Sequence, residues 1–284
     1  MKNAFMRRFS GAAGFALMRL AACAAVLSLI AMLGVIFWNA LPAMSWEFLT
    51  TPPSPSMTEG GIWPCIVGTF FLAAGAMVIA LPLGVASAVW LSEYNRESRL
   101  VTLIRLSIAN LAGVPSIVFG LFGLTFFVVF CGFGVSLLSG VLTLAVLSLP
   151  IIISTTESAL KQIPQDWREA SLALGATRRE TIMKVVLPNA LPGILTGAVL
   201  ALARSAGETA AIMYTGAVFF TPDSKVSPFE PVMALPYHVY VLASSGTNIE
   251  LTRPMQYGTS LVLVVLVFVM SVGAIVLRER HRKH

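Results

Sequence analysis

Residues 169–175 read Glu-Ala-Ser-Leu-Ala-Leu-Gly, and after a further nine residues positions 185–188 read Val-Val-Leu-Pro. This polar segment lies between two apolar runs, 135–159 and 191–219, each long enough to cross a lipid bilayer. A polar segment in that position is typical of a loop at the membrane surface. The rest of the chain therefore has to be read as a membrane protein.

Composition supports that interpretation. Hydrophobic residues make up 57% of the 284 and charged residues 11%, whereas about 25% is usual in soluble domains. We predict an all-α membrane protein, because a helix satisfies its own backbone hydrogen bonds in lipid. The six predicted spans are 20–40, 62–91, 108–130, 135–159, 191–219 and 256–277.

Lys and Arg residues are concentrated on one side of these spans. Of the 19, 16 fall in the N-terminal segment, the second and fourth connecting loops, and the C-terminal tail. Cytoplasmic segments carry such an excess, so both termini and the 169–188 loop are predicted to be cytoplasmic. The same arrangement explains the net charge of +6 through contact with anionic membrane lipid, and no nucleic-acid partner is expected.

No soluble domain is evident in the sequence. Residues 1–60 are expected to hold a cytoplasmic segment, the first span and an external loop, and residues 61–284 to form the transmembrane core with a cytoplasmic loop at 161–188. The proline-rich external loop at 41–61 is predicted to be extended. An apolar stretch at 232–243 is too short to span and is predicted to be an interfacial or re-entrant helix.

Helix breakers interrupt three of the spans. Pro82, Pro150 and the Gly113–Pro115 segment are each open to two interpretations, a packing kink or a hinge or cavity wall used in transport. Residues 113–120 are the strongest candidate for the second role, because Ser116 adds a hydroxyl group and Gly120 permits close approach of another backbone.

Within the cytoplasmic loop, residues 164–184 are predicted to form two short helices separated at Gly175. The first helix would present Ala170 and Ser171 on a compact face that lets another surface come close. Two interpretations are open from the residues alone, a helix lying among lipid headgroups or a docking surface for another protein.

Two charged residues, Arg204 and Glu208, interrupt the fifth predicted span. A spacing of four would place them on one helical face about 6 Å apart along the axis. They could be a structural ion pair or part of an anion pathway. The planar fork of arginine donors matches phosphate oxygens, and Glu208 would hold that fork in place.

Several other functions are disfavoured. The chain has no zinc-protease motif and its three cysteines have no metal-binding spacing, so neither an enzyme nor a metal site is expected. Cys65 and Cys131 are expected to be free thiols. None of the five lysines follows a glycine, so a phosphate-binding loop for ATP is absent and any ATP hydrolysis must occur in another chain.

The 169–188 segment resembles the EAA loop of bacterial ABC importer permeases. That pattern is Glu-Ala-Ala, three residues, Gly, nine residues, Ile-x-Leu-Pro; here Ser171 replaces the second Ala and Val185 replaces the Ile. The resemblance implies a six-span, MetI-like type I permease fold. It also implies that the loop docks on a separate ATPase subunit, which binds ATP and Mg; the docking residues expected here are Glu169, Ala170, Ser171 and Gly175.

A second resemblance is to the Arg-x-x-Gly-Glu-Thr-Ala signature of phosphate importer permeases of the PstA type, which is matched here by Arg204, Gly207, Glu208 and Thr209. Residues 113–120 and 187–194 also resemble segments of that family. The resemblance implies phosphate import across the bacterial cytoplasmic (inner) membrane, with no cofactor in this chain. The substrate-pathway residues expected are Arg204, Glu208, Ser205, Thr209 and Ser116.

The partners implied by the resemblance are a homologous PstC-type permease, two copies of the ATPase and an extracytoplasmic phosphate-binding protein. Two alternatives remain from the sequence. One is a permease of the same fold for another oxyanion or solute, and the other is a stand-alone anion channel or carrier that works without ATP.

Overall fold

The computed structural model describes residues 2–54, 60–94, 98–221, 226–245 and 249–282, and the structural statements below concern those residues. Within them the chain is helical apart from turns and two isolated β-bridges. The helices are α1 (Lys2–Ala40), α2 (Trp46–Thr50), α3 (Trp63–Val89), α4 (Arg99–Ala112), α5 (Ser116–Gly123), α6 (Leu137–Lys161), α7 (Gln165–Ala173), α8 (Arg178–Thr181), α9 (Leu187–Ala206), α10 (Leu235–Ser245) and α11 (Ile249–Arg282).

Three π-helical turns extend or join these helices in the described part of the chain. These are Trp90–Tyr94 after α3, Leu124–Phe130 after α5 and Ile182–Val186 between α8 and α9. Side-chain caps fix several helix starts: the hydroxyl of Ser136 accepts from the Ser139 amide at 3.3 Å at the start of α6, and Ser98 accepts from the Leu100 amide at 3.2 Å at the start of α4.

In the described part of the chain, five helices are long and apolar enough to cross a membrane. A sixth span is present if α4 and the α5 segment are taken together, although they are bent by 102° at the break between them. The prediction of six spans is confirmed in that form. The bend coincides with the Gly113–Pro115 segment, whereas Pro82 and Pro150 lie inside continuous helices.

The core is built around α6, which packs between α3 and α9. Leu72, Leu144 and Ile212 fill its centre. A second cluster, near the 161–188 loop, includes Leu91 and Val186. The apolar surface of α1 is exposed along its candidate membrane-spanning window, as expected for a helix whose neighbour is lipid or another subunit.

Two sequence predictions need correction. The fifth span does not run as one helix to residue 219, because α9 ends at Ala206 and the chain continues as turns with a short 3₁₀ segment, Ile212–Tyr214. The first external loop is not wholly extended: Ser45 caps α2 by accepting from the Phe48 amide at 3.0 Å, and the buried Phe48 side chain packs beneath it. Residues 55–59 of that loop lie outside the described residues.

The prediction of a short helix at 232–243 is confirmed by α10. The Leu235 amide at its start donates to the hydroxyl of Thr69 in α3 at 2.8 Å, and both groups are buried. This bond ties α10 to the side of a membrane span.

Candidate functional site

The 161–188 loop folds as two short helices separated at Gly175, as the sequence predicts. Gly175 has φ +86°, a left-handed conformation that L side chains rarely adopt, and nothing lies within 4 Å of where its Cβ would be. Thr177 and Glu180 then form a reciprocal capping box that starts α8. The loop therefore has a defined shape that its local sequence enforces.

The outer surface of this loop is open to solvent. Glu169, Ala170 and Gly175 are exposed, and Leu174 is 89% exposed at the turn between the two helices. Ser171 is placed differently, because its hydroxyl shares a hydrogen bond of 2.9 Å with Thr181 of α8. Trp167 and Leu172 of the same segment are each 48% exposed as well, and several exposed apolar side chains on one short segment are a candidate surface for contact with another protein.

The same loop holds a carboxylate with a lowered pKa. The Thr177 backbone N–H and hydroxyl donate to Glu180 at 3.0 and 2.9 Å, and Lys184 lies 3.2 Å away. The Thr177 amide is the largest cause, followed by the Thr177 hydroxyl and then Lys184, and together they lower the pKa of Glu180 to about 2. The Glu180 carboxylate of the capping box is thus ionised throughout the physiological pH range.

Beneath the loop, Arg168 of α7 makes an ion pair with Glu93, which lies in the π-helical turn that ends α3. Arg168 Nη2 lies 2.8 Å from one carboxylate oxygen, and Nε lies 3.2 Å from the other. Both side chains are buried. Neither residue of this pair was predicted from the sequence as a functional residue. The available signal was an acidic residue directly after an apolar span, where it would need a cationic partner.

A second ion pair joins neighbouring elements at the same end of the molecule. Arg105 Nε of α4 lies 2.6 Å from Glu157 of α6, and Lys161 lies 3.2 Å from the same carboxylate. Arg105 Nη2 also donates to the Leu91 carbonyl at 3.0 Å. Arg105 therefore ties α4 to α6 and to the π-helical turn that ends α3.

The predicted pathway residues surround the end of α9. Arg204 is exposed in the last turn of this helix, and Glu208 and Thr209 follow the helix end with partly exposed side chains. The expectation that Arg204 and Glu208 share one helical face is wrong. Gly207 ends α9 between them, with its amide donating to the Arg204 carbonyl at 3.2 Å, and the two side chains form no ion pair within the described residues.

A hydrogen bond of Ser205 locates the end of α9 relative to α6. It is buried and does not share the exposed position of Arg204; its hydroxyl hydrogen-bonds Ser148 of α6 at 2.8 Å. Ser148 lies near the centre of α6, about 17 Å from the outer end at 1.5 Å per residue. Arg204, one residue before Ser205, therefore lies level with the centre of α6, a helix long and apolar enough to cross a membrane, and α9 stops there. Irregular backbone at that depth must be buried in protein or line a water-filled cavity.

The start of α5 lies at about the same depth. A Cβ placed on Gly120 would be 2.8 Å from the carbonyl oxygen of Ala210, so α5 packs directly on the segment after α9. Ser116 is the first residue of α5, partly exposed, and one turn from Gly120 on the same face. The fold thus brings Ser116 towards the segment that holds Glu208 and Thr209, across about 90 residues of sequence.

Two helix breaks, one before α5 and one after α9, lie on segments that pack on each other, and a cation stands at one of them; discontinuous helices of this kind are typical of transport proteins. The exposed loop at 161–188 carries the segment that resembles the EAA loop of ABC importer permeases. The family described as binding-protein-dependent transport system inner membrane component matches residues 80–282, and this chain belongs to that family. It is accordingly a multi-pass protein of the cytoplasmic membrane.

Individual relatives agree with the family. The chain is 36% identical over 265 residues to a probable ABC transporter permease protein, YqgI, of Bacillus subtilis, covering 89% of this chain and 90% of the relative. It is 35% identical over 244 residues to the phosphate transport system permease protein PstA of Xylella fastidiosa, covering 86% and 84%.

A solved structure shares the architecture. The MetNI methionine ABC transporter, in an inward facing conformation, superimposes with a TM-score of 0.60 at 25% identity, covering 78% of this chain and 94% of that chain. The predicted MetI-like fold is confirmed by this similarity.

Proposed function

We propose that this chain is the PstA-type permease subunit of an ATP-driven importer of inorganic phosphate. The complex would contain a homologous PstC-type permease, two copies of an ATPase that binds ATP and Mg, and an extracytoplasmic phosphate-binding protein. The similarity to PstA of Xylella fastidiosa supports the cargo, and membership of the importer family supports the partners.

The observation that carries the proposal is the exposed side chain of Arg204 at the end of α9, level with the centre of α6. Since α6 is long enough to span a bilayer, we infer that this level lies near mid-membrane. A charge at the bilayer centre costs about 2.5–3.5 kcal/mol on insertion scales, so this side chain has to face protein or water in the assembled transporter. A second permease packed over this surface would enclose it. The enclosed fork of donors would then bind a phosphate passing between the two subunits.

Glu208, Thr209 and Ser116 complete the proposed pathway. Glu208 is close in sequence to Arg204 but is not paired with it here, so it is available to limit how tightly the anion is held. Ser116 and Thr209 provide hydroxyl groups at neighbouring positions. The buried Ser205 hydroxyl bonds Ser148 in this conformation, and it would hold α9 in place rather than contact the anion.

At the cytoplasmic face, Glu169, Ala170 and Gly175 form the proposed ATPase contact, with Leu174 at its centre. Ser171 would support this contact from beneath through its bond to Thr181. Glu169→Lys and Gly175→Asp are expected to uncouple uptake from ATP hydrolysis, the second because it also places a side chain at φ +86°. Wild-type ATPase binding and uptake in both variants would contradict the assignment of this surface.

Phosphate uptake by the Arg204→Gln variant tests the cargo site. We expect uptake to be abolished while the purified complex keeps all its subunits, because glutamine has no charge and no guanidinium fork. Arg19→Gln, which removes an exposed arginine from α1, is the matched control and should import normally. Competition by sulfate and molybdate distinguishes phosphate from other oxyanions; uptake that persists without ATP would indicate a channel or carrier.

A further inference from the structure

The Glu93–Arg168 pair is the most buried ion pair among the described residues, with side-chain exposures of 5% and 7%. Burial of two charges is costly unless geometry and hydrogen bonding compensate. The pair is not needed to close a local turn, because 75 residues of sequence separate the partners. Its position suggests what it does: it joins the end of a membrane span to the helix that carries the proposed ATPase contact.

Arg168 uses all its donors in this position. Beyond the two bonds to the Glu93 carboxylate, its Nη2 donates to the Leu160 carbonyl at 2.9 Å, and its Nη1 donates to the carbonyls of Ile163 and Pro164 at 2.7 and 3.3 Å. These five bonds match the five N–H donors of a guanidinium. One side chain thus connects α7, the end of α6 and the end of α3.

The other helix of the loop contacts the same end of α3. Arg178, at the start of α8, donates from Nη2 to the Glu93 carbonyl, and its guanidinium lies 5.3 Å from the centre of the Tyr94 ring. The last carbonyls of a helix have no partners within it and attract cations. A small cavity of about 230 Å³ lies between these groups, which leaves room for rearrangement.

We propose that Glu93 and Arg168 are positioning residues that transmit movement between the ATPase-docked helix α7 and the membrane span α3. This inference rests on the proposed function of the loop. Glu169 and Ala170 face outward from the helix whose Arg168 faces inward, so a displacement of α7 by the ATPase would pull on α3 through the ion pair. Such coupling is reciprocal, because a change in α3 must equally affect the docked ATPase.

The inference is tested in the reconstituted complex by measuring phosphate uptake and ATP hydrolysis together. Glu93→Gln keeps the shape but removes the charge, and Arg168→Lys keeps the charge but has three donors instead of five. We expect both variants to assemble and hydrolyse ATP, while phosphate imported per ATP falls by about tenfold, within the usual range of coupling between sites.

Lys184→Gln is the matched control. It removes an ion pair from the same loop, but Lys184 is 74% exposed and its partner Glu180 belongs to α8, so import per ATP should be unchanged. The double variant of Glu93 and Arg168 should be no worse than the poorer single variant, because both changes break one connection.

Three results would overturn the inference. They are an unchanged ratio of import to hydrolysis, a parallel loss of both activities, and failure of both single variants to assemble, which would make the pair a folding element only. Measurements on the wild-type complex show whether a failed test concerns this inference or the proposed function. If it imports sulfate but not phosphate, the cargo is wrong and the ratio is measured with sulfate; if it contains no ATPase, the proposed function and this inference both fail.

Discussion

Replacing Gly120 by alanine is expected to push α5 away from the segment that follows α9. The added Cβ would lie 2.8 Å from the carbonyl oxygen of Ala210 and 3.1 Å from the Cα of Ala211, whereas ordinary contacts begin at 3.4 Å. All of the nearest atoms belong to the backbone. Because no side chain can rotate out of the way, the two elements must separate by about half an ångström.

The change in the free energy of unfolding caused by Gly120→Ala is the sum of two opposing effects. Overpacking of this kind destabilises by about 1–3 kcal/mol, and alanine is favoured over glycine within a helix by about 1 kcal/mol. Gly34→Ala isolates the second effect, because Gly34 lies within α1 and nothing is within 4 Å of its Cβ position. The two variants should therefore differ by about 2 kcal/mol in the free energy of unfolding.

The assay is thermal unfolding of the purified protein in detergent, with both variants scanned at one rate. At about 2–4 °C per kcal/mol for chains of comparable size, Gly120→Ala should unfold about 4–8 °C below Gly34→Ala. Equal unfolding temperatures would refute the reasoning, since they would mean that α5 and the Ala210 segment are not in backbone contact.

Three further outcomes are expected. A membrane-impermeant maleimide added outside intact cells should label Cys131, which is partly exposed in the predicted external loop, but not the buried Cys65; absence of label on Cys131 would contradict the predicted orientation, and label on Cys65 would contradict its burial. Glu157→Gln should lower the free energy of unfolding by about 1–3 kcal/mol by leaving a partly buried cation without its partner, while Lys161→Gln, at a 61% exposed position, should cost under about 0.5 kcal/mol. The pKa of Glu180 is lowered to about 2, so its stabilisation of α8 is present above the ordinary carboxyl range and is lost as pH falls towards 2. The protection factors of the amides at the start of α8, in which the pH dependence of intrinsic exchange is divided out, should be unchanged from pH 7 to 5 and lower near pH 2; a loss of protection already at pH 6 would contradict this.

Local sequence was sufficient to predict a structural feature wherever that feature is set by residues close together in the chain. Gly175 predicted the division of the cytoplasmic loop, because a left-handed position favours glycine. Pro115 predicted the interruption of the third span, although its 102° bend could not be read from the sequence. Pro82 and Pro150 gave similar signals but lie in continuous helices, since the effect of a proline depends on what packs around it.

The site depended on contacts between distant segments. The sequence placed Arg204 and Glu208 on one helix because apolar composition continued beyond Ala206, yet the helix ends there as the following segment packs on α5. The Glu93–Arg168 pair was missed because neither residue identifies its partner 75 positions away.

Composition and short motifs were enough to establish the membrane setting and the family, and to predict the surface that we propose contacts an ATPase. The residue at which α9 stops, the hydroxyl group that is buried against α6 and the arginine that holds α7 to α3 became known only from the folded chain. The physical reason is that these features depend on burial and on hydrogen-bond partners, which exist only once distant parts of the chain are packed together.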